Sequence, residues 1–380
     1  MGVSTEHLTH NTPNALLLEG ARRLGMEVKA MPQNTGGHAH ACGHCCYGCP
    51  TNQKQSCAAT YLPDAYAAGA KCISDCAVTQ LLFDGRAVTG LTAALASGVR
   101  LRITAPRVVL AAGALYTPLL LAHSGIEHAQ LGQNLRIHPC TNLFAYFPPA
   151  LPTAPYSGAI LTVLLTEAAN LDGAGYGARG LVLPNHPGFA GGQLPWGDAV
   201  TWRARVARYN HSALATSIVR DKDSRASVTR DEATGEPRVR FAFGPQDRRA
   251  GVEGLVALAK CYVEMGAEEV TVDARGVPAW HRGDDFAAWI AQLRSVGLQD
   301  KKAGSAHQLG TARMAANDDD GVCDTRGRVW GTRGLWVADG SLCPTATGVN
   351  PMVTIMALAE YVAGDVVEDL EKNWKAPKAV

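Results

Sequence analysis

The chain has 380 residues, a formal net charge of +1 and 47% apolar residues. That length suits one large domain or two ordinary ones, with enough apolar material for a sizeable core. The near-zero charge argues against nucleic acid or an anionic membrane as partner, and no apolar run approaches the roughly 18–20 residues of a membrane helix.

The opening MGVSTEHLTHNTPN has neither a basic n-region nor an apolar h-region, so no signal peptide is expected, and Glu6 stands where myristoylation requires Ser or Thr. Thr12-Pro13, then Leu16, Leu17, Leu18, Ala21 and Leu24 before Gly25, predicts a capped amphipathic helix. Residues 31–60 form a Gly-, His- and Cys-rich loop without a period. The eleven cysteines, an odd number, favour a reducing, intracellular setting with mostly free thiols. Turn signals at Asp84-Gly85 and Ser97-Gly98 predict a three-stranded antiparallel meander over 77–83, 87–95 and 100–111. VVLAAG ends it on small residues, and a short helix follows over 117–124. From Pro139 to about Pro245 the chain reads as mostly β, with strands over 159–166, 213–220 and 238–243. Helices follow over 247–265 and from Asp285. Near the end, Asn350 is the expected cap and Pro351 the first position of a helix burying Met352, Ile355, Met356, Ala359 and Val362. The tail after Lys372 is expected to fray.

Two late phrases carry chemistry: SAHQLGTARM (305–314) and GLWVADGSLCPTATGVNPMVTIMALAE (334–360). A lone histidine is usually a satisfied residue and a strand-end Asp a turn former. The order H-x-x-G-T, then a strand ending Asp-Gly, then G-x-N-P opening an apolar helix, is more specific. A helix N-terminus also offers free amides and a positive dipole end to an electron-rich group.

Those phrases, with VVLAAGALYTPLLLAHSGI and LGQNLRIHP, resemble glucose-methanol-choline (GMC) oxidoreductases. ACGHCCYGCPTNQKQSCAATYLPDA and RDKDSRASVTRDEATGEPRVRF resemble the long-chain (fatty) alcohol oxidase branch. The resemblance covers about Thr12 to Val366. It implies an α/β, FAD-linked GMC fold with an antiparallel β-meander and a second α+β substrate domain. The expected division is 1–135 (part of the FAD-binding domain), 136–299 (substrate domain) and 300–380 (return to the FAD-binding domain). It implies FAD-dependent oxidation of a primary, long-chain alcohol to the aldehyde, with oxygen as acceptor and hydrogen peroxide as product. A sterol-type substrate, and a catalytically silent fragment that binds a partner or metal, stay open as alternatives. The compartment also stays open, and the family resemblance allows membrane association.

By the same resemblance His307 takes the hydroxyl proton or holds the alkoxide, and Asn350 orients the alcohol oxygen. Asp339 and Gly340 face the ribityl and pyrophosphate of FAD, Pro351 and Met352 the pyrimidine side, Val78 the adenine, and Gly113 allows a close approach. His138 is expected to be structural.

One part of the family pattern is missing. The family carries a G-x-G-x-x-G strand–turn–helix near its N-terminus. Here the one match, Gly175-Tyr-Gly177-Ala-Arg-Gly180, is followed by LVLPNHPG, whose prolines bar a helix. The match therefore reads as accidental and the chain as a partial GMC protein with weak or no FAD binding of its own. The thiols at Cys42, Cys45, Cys46 and Cys49, with His38, His40 and His44 nearby, leave zinc open on spacing alone. The resemblance, to a segment not known for metal, turns the expectation to no metal site.

Overall fold

The computed structural model describes residues 1–300 and 303–373. In chain order the strands are β1 (Val3–Ser4), β2 (Val28–Ala30), β3 (Gln33–Asn34), β4 (Cys76–Asp84), β5 (Ala87–Leu95), β6 (Arg100–Thr104), β7 (Val108–Leu110) and β8 (Cys140–Tyr146). They continue with β9 (Val163–Leu165), β10 (Ala178–Val182), β11 (Ser212–Val219), β12 (Arg225–Arg230), β13 (Pro237–Ala242), β14 (Glu269–Val272), β15 (Trp280–His281) and β16 (Leu335–Val337). The helices are α1 (Thr12–Arg23), α2 (Tyr61–Ala67), α3 (Gly113–His123), α4 (Pro187–Gln193), α5 (Ala199–Ala207), α6 (Pro245–Glu264), α7 (Phe286–Val296) and α8 (Met352–Asn373).

These elements divide into two compact units, one of Met1–Lys71, Pro139–Arg220 and Pro245–Gly304, the other of Cys72–His138, Asp221–Gly244 and Ser305–Val380. The expected domain boundaries at 136 and 300 lie a few residues from two of these junctions, while residues 1–71 group with the middle of the chain.

The first unit is built on a seven-stranded sheet in the order β15-β14-β8-β11-β10-β9-β2, every neighbouring pair antiparallel. Helices α1 and α6 pack together, and α6 lies on β8, β10 and β11. Glycine sets the closeness of that packing. A Cβ at Gly254 would strike the Ser217 side chain, and one at Gly20 the Cys261 carbonyl. The Asn11 side chain caps α1, accepting the Asn14 amide at 3.2 Å, and the buried Asn14 carbonyl takes the amides of Thr162 and Val163. The G-x-G-x-x-G string is a turn running into β10, with no helix after it, and a Cβ at Gly180 would meet Leu258.

The second unit holds the meander β4-β5-β6, the hairpin β12-β13 and a parallel pair, β7 with β16. Its core gathers Leu81, Val108, Leu110, Leu121, Trp336, Val337 and Val362. Here three expectations change. The strand expected over 100–111 splits: β6 stops at Thr104, and β7 leaves the meander to pair with Leu335–Val337. Pro106, which has no amide to give a ladder, sits at the break. Helix α3 begins at Gly113, four residues before the expected 117, although Pro118 lies inside it. Proline cannot donate to the Ala114 carbonyl, and the Thr311 hydroxyl does so instead at 2.6 Å. In α8 the Pro351 carbonyl accepts the first helical bond, from Ile355, so Pro351 holds the cap place and Asn350 lies one residue outside it. Of the expected buried stripe, Val362 is fully buried, Ile355, Met356 and Ala359 are half-buried, and Met352 is exposed. The tail beyond 373 lies outside the described residues.

Candidate active site

The site grows from the ends of the parallel pair. Leu335, Trp336 and Val337 are all buried, and the Ala338 amide donates to the Leu110 carbonyl at 2.8 Å. The next residue, Asp339, is buried and accepts four hydrogen bonds. One oxygen takes the Gly113 amide (2.9 Å) and the Thr117 hydroxyl (2.5 Å), the other the Ser341 amide (2.7 Å) and hydroxyl (2.5 Å). Asp339 thereby fixes the N-terminus of α3 to the end of β16. Gly113 has φ +79°, which a side chain would resist, and nothing lies within 4 Å of where its Cβ would be. Bare backbone thus faces open space at the helix start.

The phrase 305–314 runs past residues 132–137. The Arg136 amide donates to the Leu309 carbonyl (2.9 Å) and the Leu309 amide to that of Arg136 (2.8 Å). The Ser305 hydroxyl donates to the Ile137 carbonyl and accepts the His307 amide. Beside this lies His138, fully buried, with φ +46°. The Asp221 carboxylate supports that unusual backbone by accepting the amides of both Ile137 and His138 at 3.1 Å.

These constraints bring two imidazoles edge to face. Nδ1 of His138 lies 3.1 Å from Nδ1 of His307, and the Gly348 amide donates to Nε2 of His138 at 3.0 Å. On its other side, Nε2 of His307 lies 3.3 Å from the Asn350 side-chain amide. Burial lowers the His307 pKa below its usual value, so the ring is neutral near pH 7. Because Nε2 of His138 accepts the Gly348 amide, its ring proton sits on Nδ1 and faces Nδ1 of His307, so neutral His307 carries its own proton on Nε2, beside Asn350, where it can donate to an oxyanion.

An open cavity of about 420 Å³ adjoins this pair. Its lining includes Gly113, Leu115, Tyr116, His307, Asp339, Gly340, Pro351 and Ile355. A second, of about 470 Å³, shares Ala112 and Tyr116 with it and reaches Val78, Leu119 and Arg230. The expected residues His307, Gly113, Asp339, Gly340 and Pro351 therefore share one cavity, Asn350 touches His307, and Val78 lines the neighbouring space. Met352 is exposed at the start of α8 and is absent from both linings. The bare backbone at Gly113, the apolar walls Leu115, Pro351 and Ile355, and the two adjoining spaces fit an elongated cofactor with a flat ring.

Residues 1–140 match the N-terminal family model of GMC oxidoreductases, and residues 222–359 match the C-terminal one. The chain is 30% identical over 363 residues to the uncharacterised GMC-type oxidoreductase y4nJ of Sinorhizobium fredii, covering 92% of this chain and 68% of that one. The chain belongs to the GMC oxidoreductase family. GMC proteins are FAD-binding flavoproteins.

Two Arabidopsis thaliana long-chain-alcohol oxidases, FAO4A and FAO1, are each 29% identical to this GMC chain. They match 98% and 99% of it and 53% and 52% of their own lengths. The chain thus spans about half the length of these relatives. Among solved structures, pyridoxine 4-oxidase from Mesorbium loti superposes with a TM-score of 0.69 at 18% identity, over 94% of this chain and 70% of that one. A formate oxidase of Aspergillus oryzae RIB40 gives 0.62 at 18%, over 79% and 61%. These two show a shared GMC fold.

Several residues that build the site were not singled out from sequence. Thr117, Thr311 and Ser341 are small hydroxyl residues whose partners lie far away along the chain or in a tight turn. His138, expected to be structural, stands within hydrogen-bond distance of His307. Its one sequence signal was a place inside a family phrase.

Proposed function

We propose that this GMC oxidoreductase oxidises the CH–OH group of a primary alcohol to the aldehyde, with a long-chain alcohol as substrate, oxygen as acceptor and hydrogen peroxide as product. The observation that carries this reading is the His307 Nε2–Asn350 contact at 3.3 Å beside the cavity lined by Gly113 and Pro351. The names of the long-chain-alcohol oxidases support the substrate class.

The chain's own groups have distinct tasks. Nε2–H of His307 holds the alkoxide, since burial keeps the ring uncharged, and Nε2 takes the hydroxyl proton once the His138–His307 pair shifts its tautomers. The Asn350 amide orients the alcohol oxygen. His138 holds the plane of the His307 ring from the far side. Pro351 would lie against the ring end of FAD, Gly340 along its ribityl and pyrophosphate, with Gly113 allowing the close approach and Val78 at the adenine end; Met352, exposed and outside both cavities, would make no contact. Asp339, its oxygens already engaged, acts through Gly113 and Ser341. FAD, when bound, supplies the two-electron acceptor. The cofactor-facing role falls to the unit that carries these residues, and a substrate-facing role to the middle of the chain.

The test is a flavin titration of the purified protein followed by turnover on primary alcohols of increasing chain length, with a sterol as comparison. Long-chain alcohols should be preferred, and His307→Ala should lower kcat by roughly 10²–10⁴-fold with the fold intact. Turnover unchanged by that substitution, or none on any alcohol by the flavin-loaded protein, refutes the reading.

A further inference from the structure

Between β3 and α2 the chain has one single-turn helix, at Cys45–Tyr47, and no strand. Such a stretch has little ladder or core to hold it, yet three side chains meet inside it. Nε2 of His40 lies 2.9 Å from Sγ of Cys45, and these two atoms and Sγ of Cys42 all lie within 4.8 Å of one another. His40 is buried, at 7% exposure. Its Nδ1 stands 3.0 Å from Oε1 of Gln53. A carbonyl oxygen only accepts, so the ring proton sits on Nδ1 and the Nε2 lone pair points at the sulfurs. An outer hydrogen bond of this kind typically orients a metal-bound histidine.

The backbone between the two cysteines is also fixed. Gly43 packs against the backbone of Tyr156 so closely that a Cβ there would overlap the Tyr156 carbonyl. Its own carbonyl lies 2.8 Å from Nε2 of His186. The donor set is one imidazole and two thiols, spaced H-x-C-x2-C. Tetrahedral zinc, with bonds of about 2.3 Å to sulfur and 2.0 Å to nitrogen, places sulfur and nitrogen roughly 3.5 Å apart and the two sulfurs roughly 3.8 Å apart. Reaching that geometry from the observed one takes shifts of well under a side chain's rotamer range.

We propose that His40, Cys42 and Cys45 bind one zinc ion through Nε2 and two thiolate sulfurs, stapling the segment between β3 and α2. Water or Cys49 completes the tetrahedron. Each thiol loses its proton on binding, so two protons leave per ion with water as the fourth ligand and three with Cys49. The sequence expectation of no metal rested on family resemblance; this inference rests on where the side chains stand. It is independent of the alcohol-oxidising reading, because it needs neither flavin nor turnover.

The experiment is metal analysis of the full chain purified under reducing conditions and supplied with zinc, followed by cobalt replacement. About one equivalent of zinc is expected, with sulfur-to-cobalt charge-transfer bands whose intensity counts two thiolates, or three if Cys49 joins. His40→Ala, Cys42→Ser and Cys45→Ser should each weaken zinc binding about tenfold or more, with the exposed Cys72→Ser as control. Limited proteolysis should cut within 38–57 once the ion is chelated. If a variant fails to fold, the cobalt spectrum of the unaltered chain still decides. Zinc below about a tenth of an equivalent would overturn the proposal. So would zinc kept by the variants, iron with labile sulfide, or a Cys42–Cys45 disulfide in the reduced preparation.

Discussion

Replacing Asp339 by asparagine removes one oxygen from a group that accepts four hydrogen bonds. Two of the donors are hydroxyls, at Thr117 and Ser341, which can rotate and accept instead. The other two are the backbone amides of Gly113 and Ser341, which cannot. Whichever way the new amide turns, its NH2 faces one of them. Stranding that amide costs about 1–3 kcal/mol, and turning the remaining charge-assisted bonds into neutral ones costs roughly another 1 kcal/mol. Asp339→Asn should therefore destabilise its unit by about 2–4 kcal/mol, or on the order of 5–15 °C in Tm for a unit of this size. Urea unfolding followed by tryptophan fluorescence reports on it, since Trp336 lies in the same core. Adding Ser341→Ala should then cost less than it does in the unaltered chain, because the two share partners. A loss below about 0.5 kcal/mol would refute the view that this carboxylate ties β16 to α3.

Asp365 is buried among Arg326, Arg328 and the Trp336 indole N–H. Burial pushes its carboxyl up, but those hydrogen bonds outweigh it and hold the pKa at about 2. With an unfolded value near 4, the stabilisation is full above about pH 4 and fades as pH falls toward 2. It amounts to about 1–2 kcal/mol once the exposure of the two guanidiniums is allowed for. Asp365→Asn should flatten the acid end of the stability curve, and an unchanged curve sinks the assignment. For His307 stability again falls as pH falls, but at higher pH and through a penalty rather than a lost gain. Burial lowers its folded pKa, so the unfolded chain takes the proton first, and this histidine destabilises the fold below about pH 6.5 and is neutral above it. The acid limb of turnover should fall below about pH 6.5, and a limb at or above that value would contradict a neutral buried ring.

Much of this was legible locally. The proline opening α1, the turns of the meander and the apolar period of α6 are short-range signals, and the elements follow them, although Asn11 rather than Thr12 caps α1. What escaped depends on partners far along the chain. Val108–Leu110 reads as the end of a meander strand until Leu335–Val337 is known to lie beside it. Asn350 before a proline reads as a cap, but its side chain turns to His307, 43 residues earlier. His138 reads as one more core histidine because nothing near it in sequence predicts the 3.1 Å contact with a ring 169 residues away. The motif residues were easy to name because order and spacing carry them. Their supports, Thr117, Ser341 and Asp221, are residue types that occur everywhere and declare themselves only through geometry.

The proline inside α3 and the threonine that serves the Ala114 carbonyl also impose an order on change. If Pro118 became leucine first, the helix would regain its own amide and Thr311 would be released to become valine. If Thr311 changed first, the path would pass through a buried carbonyl with no donor. Two positions 193 residues apart thus share one history, with an easy direction and a costly one.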